Sequence, residues 1–452
     1  MEPMLRNTEG ASKPKTVSTK QQRIATLAKQ SPQMGFTSLA YNMDLNWLKE
    51  AHRRTRKDGA PGVDGMSGQE YEKNLESNLQ SLLDRAQSGR YVAPPIRRVH
   101  IPKGNGGLRP LGIPTFEDKV LQRAVLMMLE PVYEQDFKNC SYGFRPGRSP
   151  HQALQTLWDG LASMGGGWVV DLDISQYFDT IDHEHLRQLL QRRVRDGVLL
   201  RLIGKWLKAG VNEEGRISHA DMGTPQGGVI SPLLSNIYLH EVLDTWFEEA
   251  VKPRLCGEAF MVRFADDVVL VFAKQEDALK VRDVLPKRLT KFGLTLHPQK
   301  TKLISFGKPT ETPTGEGGGN VHDERRFDFL GFTHFWGLSR RGYWVVRRKT
   351  AKGRFSRILK GIGDWCRENR HWDLQDQCRV LSLKLKGHFS YYGITGNARS
   401  LEQFRARVLD HWRKWLSRRS RGILMTWARF MSLLQRYPLP RSRIVHVYSC
   451  RK

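Results

Sequence analysis

The segment WVVDLDISQYFD, residues 168–179, constrains the chain most. Its alternation predicts a strand over 168–174, and strand side chains point to opposite faces in turn. Asp171 and Asp173 then share one face, while Val170, Leu172 and Ile174 share the other. Carboxylates on an otherwise apolar strand are costly unless they are paired or bind a metal. A second costly pair stands in RFADDVVLVF, residues 263–272, where Asp266 and Asp267 join two hydrophobic runs at a predicted hairpin tip. An ordinary Asx turn uses one such residue; nothing in a simple turn requires two adjacent like charges. A divalent cation resolves the repulsion at both places. Mg²⁺ takes hard oxygen ligands, often one or two carboxylates plus substrate phosphates. Two such ions about 4 Å apart can activate an attacking hydroxyl and stabilise a leaving pyrophosphate.

Around these clusters helical and strand patterns alternate irregularly. Helical spacing is read at 42–55, 70–86, 117–133, 152–162, 183–195, 199–207, 232–247 and 276–292. The runs 96–102 and 108–114 flank GNGG and predict a β-hairpin. Short strands are expected at 260–264, 268–272, 294–296, 303–306 and 327–332, with mostly helix beyond Arg340. The fold class expected is α+β rather than a doubly wound sheet. Residues 1–35 are polar and read as a flexible tail. No run of eighteen apolar residues predicts a membrane span, and the N-terminus lacks the apolar stretch of a secretory signal. Five scattered cysteines without a CxxC pair argue against a disulfide scaffold or a four-cysteine zinc site. The chain reads as soluble and intracellular.

Charge is placed unevenly. Residues 341–452 hold 27 Lys and Arg against 6 Asp and Glu, whereas the first 340 residues hold 46 against 40. A field of that sign attracts polyanions, and neutralised phosphates release counterions. Trp344, Phe355, Trp365, Trp372, Phe389, Tyr391, Tyr392, Trp412 and Trp415 are interleaved with the cations. The mixture suits phosphate contact plus base stacking; for any single ring, core packing is the competing reading.

The two Asp clusters occur in order with TPQGGVISPLLSNIYL (224–239), YGFRPGRSPHQAL (142–154) and GLTLHPQKTKLISF (293–306). APGVDG (60–65), IPKGNGGLRPLGIPTFEDKVLQRAV (101–125), FDFLGF (327–332) and LKGHFSYYGITGN (385–397) complete the set. Together these resemble the group II intron reverse transcriptase/maturase family over roughly residues 36–447. The usual Tyr of the family's YADD box is Phe264 here.

The resemblance implies a right-hand polymerase: fingers and a palm with an antiparallel sheet, followed by an α-helical thumb/maturase domain. It implies catalytic Asp173, Asp266 and Asp267 binding two Mg²⁺ ions with the Ile174 carbonyl, Mn²⁺ being a possible substitute. Nucleotide contacts are implied for Lys103, Arg109, Gln226, Gly227 and Lys300, with Phe178 as the gate against a ribose 2′-hydroxyl. Template or RNA contacts are implied for Arg145 and Arg148; the basic C-terminal helices add Arg413, Lys414, Arg418 and Arg419. The implied partners are group II intron RNA, an RNA template with a DNA primer, target DNA and deoxynucleoside triphosphates, in a bacterial cytoplasm and without a membrane. The oligomeric state stays open.

The domains expected are a polar tail (1–40), an N-terminal extension of the fingers (41–83), fingers and palm (84–335), a helical thumb/maturase domain (336–422) and a basic C-terminal extension (423–452). No HNH nuclease pattern is expected. Two other readings compete with the intron-linked polymerase: a domesticated relative acting in DNA repair or defence, and a splicing-only RNA-binding maturase.

Overall fold

The computed structural model describes residues 16–102, 107–218, 222–224, 227–309, 325–339, 341–419 and 425–448. The chain opens with α1 (Val17–Gln30), α2 (Leu45–Arg54), α3 (Gly68–Glu72) and α4 (Leu75–Gln87). The hairpin β1 (Ile96–Pro102) and β2 (Leu108–Ile113) leads into the long helix α5 (Phe116–Asp136). Residues 17–30 are therefore not a flexible tail. Ile24 and Ala28, four residues apart, are buried, and Gln21 donates to the Met127 carbonyl of α5 at 2.8 Å. The stripe was hidden because polar residues dominate the rest of the helix. α5 is buried along most of its length, and Trp47 of α2 donates its indole N–H to Ala124 at its centre.

The middle of the chain runs through α6 (Pro150–Ser163), β3 (Trp168–Leu172), α7 (Tyr177–Thr180), α8 (His183–Arg193) and α9 (Gly197–Leu207). The short strands β4 (Val211–Glu213) and β5 (Arg216–Ser218) extend the first hairpin into a sheet of order β2-β1-β4-β5. Then follow α10 (Ser231–Leu239), which continues in π-helical turns to Val251, β6 (Ala259–Phe264), β7 (Asp267–Phe272), α11 (Gln275–Thr290) and β8 (Lys302–Ser305).

The central sheet has the order β6-β7-β3-β8 and is antiparallel throughout. Its two faces bury into different cores. Val170, Leu172, Val268, Leu270 and Phe272 join the core built on α5, α8, α10 and α11. Val169, Val262, Val269 and Val271 join Leu154, Leu157 and Leu161 of α6 in the second core. Each such buried aliphatic side chain is worth about 1.5–3 kcal/mol, so the sheet is clamped from both sides.

The second core continues into the last third of the chain. Residues 327–332, read as one strand, form two: β9 (Phe327–Phe329) and the start of β10 (Phe332–Leu338). Leu330 (φ 48°) and Gly331 (φ 81°) turn the chain between them. β11 (Trp344–Thr350) pairs with β10 where helix was expected, so one sheet crosses the expected boundary at 335/336. Four helices follow: α12 (Lys352–Glu368), α13 (Leu374–Tyr392), α14 (Ala398–Leu416) and α15 (Trp427–Arg436). Their core includes Leu385, Phe389, Leu401, Phe404 and Trp412, and the Trp412 indole donates to Gln377 Oε1 at 2.9 Å. Of the aromatics proposed for base stacking, Phe389, Tyr392 and Trp412 are thus core residues, while Trp372 stays exposed. The α+β class is the one observed. Among the described residues no helix is long and apolar enough to cross a membrane.

Candidate active site

The site begins at the end of β3. Val269 opposes Asp171 across β7, and the same alternation puts Asp171 and Asp267 on the face of the sheet shared with α6. Asp173 lies just past the strand. There the His297 N–H donates to the Asp173 carbonyl and the Ser175 N–H to the Thr295 carbonyl, both at 2.8 Å. The Ile174 side chain anchors this stretch in the first core. The Lys300 ammonium lies 3.3 and 3.4 Å from the two Asp173 carboxylate oxygens. Lys300, expected to contact the nucleotide, is thus paired with Asp173 itself.

The second cluster sits on a two-residue turn. Phe264 pairs with Asp267, leaving Ala265 and Asp266 at the tip. Ala265 has φ 57°, the left-handed region that favours glycine. A buried network holds this turn. Arg263, fully buried, donates to both Asp244 carboxylate oxygens at 2.7 and 2.5 Å. Its remaining terminal nitrogen donates to Asn236 Oδ1 at 2.9 Å and to the Ala265 carbonyl at 3.1 Å. Asn236 in turn donates to the Gly143 carbonyl at 2.7 Å. Burial alone pulls the Arg263 guanidinium down, but Asp244 more than offsets this and keeps it charged. Sequence reading missed the network, whose members are 19 and 27 residues from Arg263. One signal was available: Arg263 stands on the inward face of an apolar strand, where an arginine needs a partner.

Electrostatics mark this edge of the sheet. Burial, then the charge of Asp267, pushes the Asp171 carboxyl up to about 7. Asp267 keeps exposed surface, yet partial withdrawal from water, then Asp266 and Asp173, pushes it up to about 6. Asp266 is also raised, chiefly by burial. Arg109 of β2 pulls against the shift at both turn aspartates, and Arg354 of α12 does so at Asp267. Carboxyls raised by burial and by one another are what a bound divalent cation relieves. Among the described residues no three His, Cys, Asp or Glu side chains close on a common point. An open set of this kind fits an ion that completes its shell with water and substrate phosphates.

A glycine packs against β2 next to this edge. Gly227 has φ 114°, and a Cβ there would come within 2.3 Å of the Gly112 carbonyl on β2. Gly227 therefore rests directly on the strand that carries Arg109. Phe178, half-buried in α7, meets the Tyr177 ring edge-on at 5.4 Å, and its carbonyl accepts from Thr224 N–H at 2.7 Å. The segment that follows Asp173 is thus tied to Thr224. Lys103 and Gln226 lie outside the described residues.

Residues 101–334, just over half of the chain, match the family described as reverse transcriptase (RNA-dependent DNA polymerase). The chain belongs to the reverse transcriptase family. Protein YkfC of Escherichia coli (strain K12) is 45% identical over 232 residues, 50% of this chain and 61% of that protein. The group II intron-encoded protein LtrA of Lactococcus lactis subsp. cremoris is 46% identical over 181 residues, 40% and 28% of the two chains. A 91 kDa protein in the cob intron of Schizosaccharomyces pombe is 39% identical over 186 residues, 41% and 22%. Each aligned region spans less than two thirds of the relative.

For a reverse transcriptase of this kind, the remaining expected contacts divide sharply. Arg145 is not free to reach a template. It is buried, with a bidentate pair to Glu134 and bonds to the Lys138 and Ser141 carbonyls at 2.8 Å. The guanidinium of FRPGRS shapes its own loop. Arg148 is half-buried over the Tyr142 ring and donates to Asn139 at 2.9 Å. Lys414, Arg418 and Arg419 are exposed on and beyond the end of α14. Arg413 is half-buried, stacks on Trp427 and donates to the Met425 carbonyl at 3.3 Å.

Proposed function

We propose that this chain is an RNA-directed DNA polymerase of the group II intron-encoded kind, extending a DNA primer on an RNA template. One observation carries the reading: Asp173, Asp266 and Asp267 converge electrostatically at one edge of the central sheet, facing Arg109 from the fingers side and Arg354 from α12. Two Mg²⁺ ions held by these aspartates and the Ile174 carbonyl would ease loss of the 3′-hydroxyl proton and neutralise the leaving pyrophosphate. Arg109, a planar donor fork on β2, suits the incoming triphosphate. Phe178 and Gly227 line the sugar side of that pocket, the ring crowding a ribose 2′-hydroxyl. Lys300 holds Asp173 in place as a neutralising partner until the metal arrives. Intron RNA is bound by the cationic surface of the C-terminal helices, through phosphate and sugar contacts that stabilise its fold. Asp266 and Asp267, raised first by burial and then by neighbouring carboxylates, favour this reading over a splicing-only maturase, because a protein that only binds RNA has no use for them.

The test is Asp267→Asn, which keeps size and removes a ligand charge. Primer extension on an RNA template is expected to fall by about two orders of magnitude or more, with affinity for structured RNA retained. Extension by the variant near the wild-type rate would end the metal assignment.

A further inference from the structure

Phe144 occupies a place that the polymerase assignment does not use. Its φ is 58°, a conformation that bulky L-residues rarely hold. Its side chain is not buried to repay that strain: the residue is 57% exposed. Strained backbone of this kind persists only when its surroundings fix it, and it concentrates at functional sites. Both neighbours are fixed here. Gly143 presents its carbonyl to buried Asn236 at 2.7 Å, and a Cβ on it would come within 2.3 Å of the Ala265 nitrogen. Arg145 is buried with its guanidinium bonded to Glu134 and two carbonyls. The exposed ring is thus mounted between two anchors, one of which also holds the turn bearing Asp266.

The ring lies on the active side of the sheet. Its centroid is 6.5 Å from that of Phe264, the strand partner of Asp267. Cross-strand partners share a face, so Phe264 and Asp267 both open toward the cleft, with Phe144 beyond them. A nucleotide resting on Phe144 would be within its own length of the carboxylates.

We propose that Phe144 is a stacking contact for the 3′-terminal nucleotide of the primer strand. The inference rests on the polymerase reading for which strand occupies the cleft. A flat, sequence-tolerant ring suits a terminus that changes base at every addition. Rigid mounting keeps it in register with the carboxylates, where displacement of about 1 Å can cost on the order of 100-fold in rate.

The test uses Phe144→Gly and Phe144→Tyr in the full chain. Glycine removes the ring but accepts the left-handed backbone without strain, so the fold should be at least as stable as the wild type. Binding is read by fluorescence anisotropy with a labelled recessed RNA–DNA hybrid, Ca²⁺ replacing Mg²⁺ to prevent turnover. Phe144→Gly is expected to weaken binding by about 5- to 100-fold, Phe144→Tyr to restore it, and single-stranded RNA to bind both variants like the wild type. A glycine variant within twofold of the wild type on the recessed hybrid would overturn the proposal, as would an equal loss on single-stranded RNA. Extension of the same hybrid by the wild type, with Mg²⁺ and deoxynucleotides, reads the polymerase assignment separately.

Discussion

Arg263 and Asp244 are fully buried and face each other through two short hydrogen bonds. The cations at the end of α14 are held quite differently. Lys414 and Arg418 both lie over one half-buried ring, Trp415, and Arg419 donates to the His371 carbonyl. Beneath the turn that bears Asp266 the Arg263 charge is matched inside the protein by Asp244. In the C-terminal region, 27 cations outnumber 6 acids, and ring faces and backbone carbonyls steady side chains whose heads stay in water. The first arrangement is suited to fixing the geometry of a reaction. The second is suited to a large polyanion whose phosphates can be met in many registers.

The sharpest way to break this contrast is to remove the buried charge. Arg263→Met leaves Asp244 buried and unpaired, which should cost about 3–5 kcal/mol in urea unfolding. The double variant Arg263→Met/Asp244→Leu should recover most of that stability, since an apolar pair can replace a buried ion pair at little loss. Primer extension should nevertheless stay on the order of 100-fold low, because the Ala265 carbonyl and Asn236 have lost their common donor. A double variant that regains both stability and rate would show that the turn needs no prop.

The same contrast explains what could be read from the sequence. The aspartates of 168–179 and 263–272 were legible because charge on apolar strands breaks a pattern, and the hairpin at 96–113 was legible because GNGG divides two alternating runs. β11 was missed because Arg348 sits on its buried face, donating to the Leu154 carbonyl, so the strand does not alternate cleanly. β9 and β10 merged because a lone Gly331 inside an apolar run was the only turn residue, while Leu330, which shares the turn, gives no turn signal. Arg145 read as a template contact because Glu134, its partner, lies on another element. Long-range pairing of this sort is a property of the fold and leaves no local trace.

A smaller effect sharpens the other half of the comparison. Lys414, Arg418 and Arg419 are exposed, whereas Arg413 also supports Trp427 and Met425. Replacing only the first three with Gln should therefore keep the fold. If all three meet phosphates, the log–log slope of RNA affinity against salt should become shallower by about two. Asp267→Asn should leave that slope unchanged. An unaltered slope in the triple variant, with native circular dichroism, would assign the phosphate contacts to other cations.

The smallest effect expected is a difference in pH dependence between the two regions, measured without metal. The Asp171 carboxyl is raised to about 7, first by burial and then by Asp267. The folded state then holds a proton that the unfolded chain releases near pH 4, so this group's contribution is complete below about pH 4 and is lost as pH rises toward 7. His388 is the reverse case. It stacks on Phe404 at 3.7 Å, and burial lowers it to about 4. The unfolded chain binds its proton below about pH 6.5, so stability from this group is complete above that value and is lost as pH falls toward 4. Between pH 5 and 7 the two slopes oppose each other. With EDTA present, Asp171→Asn should make urea stability rise more steeply with pH. His388→Phe, which keeps an aromatic ring against Phe404, should make it fall instead. Each change should be about 1–2 kcal/mol over that interval. Matching slopes in the two variants would mean that the carboxylate edge of the sheet and the helical core do not carry opposite burdens.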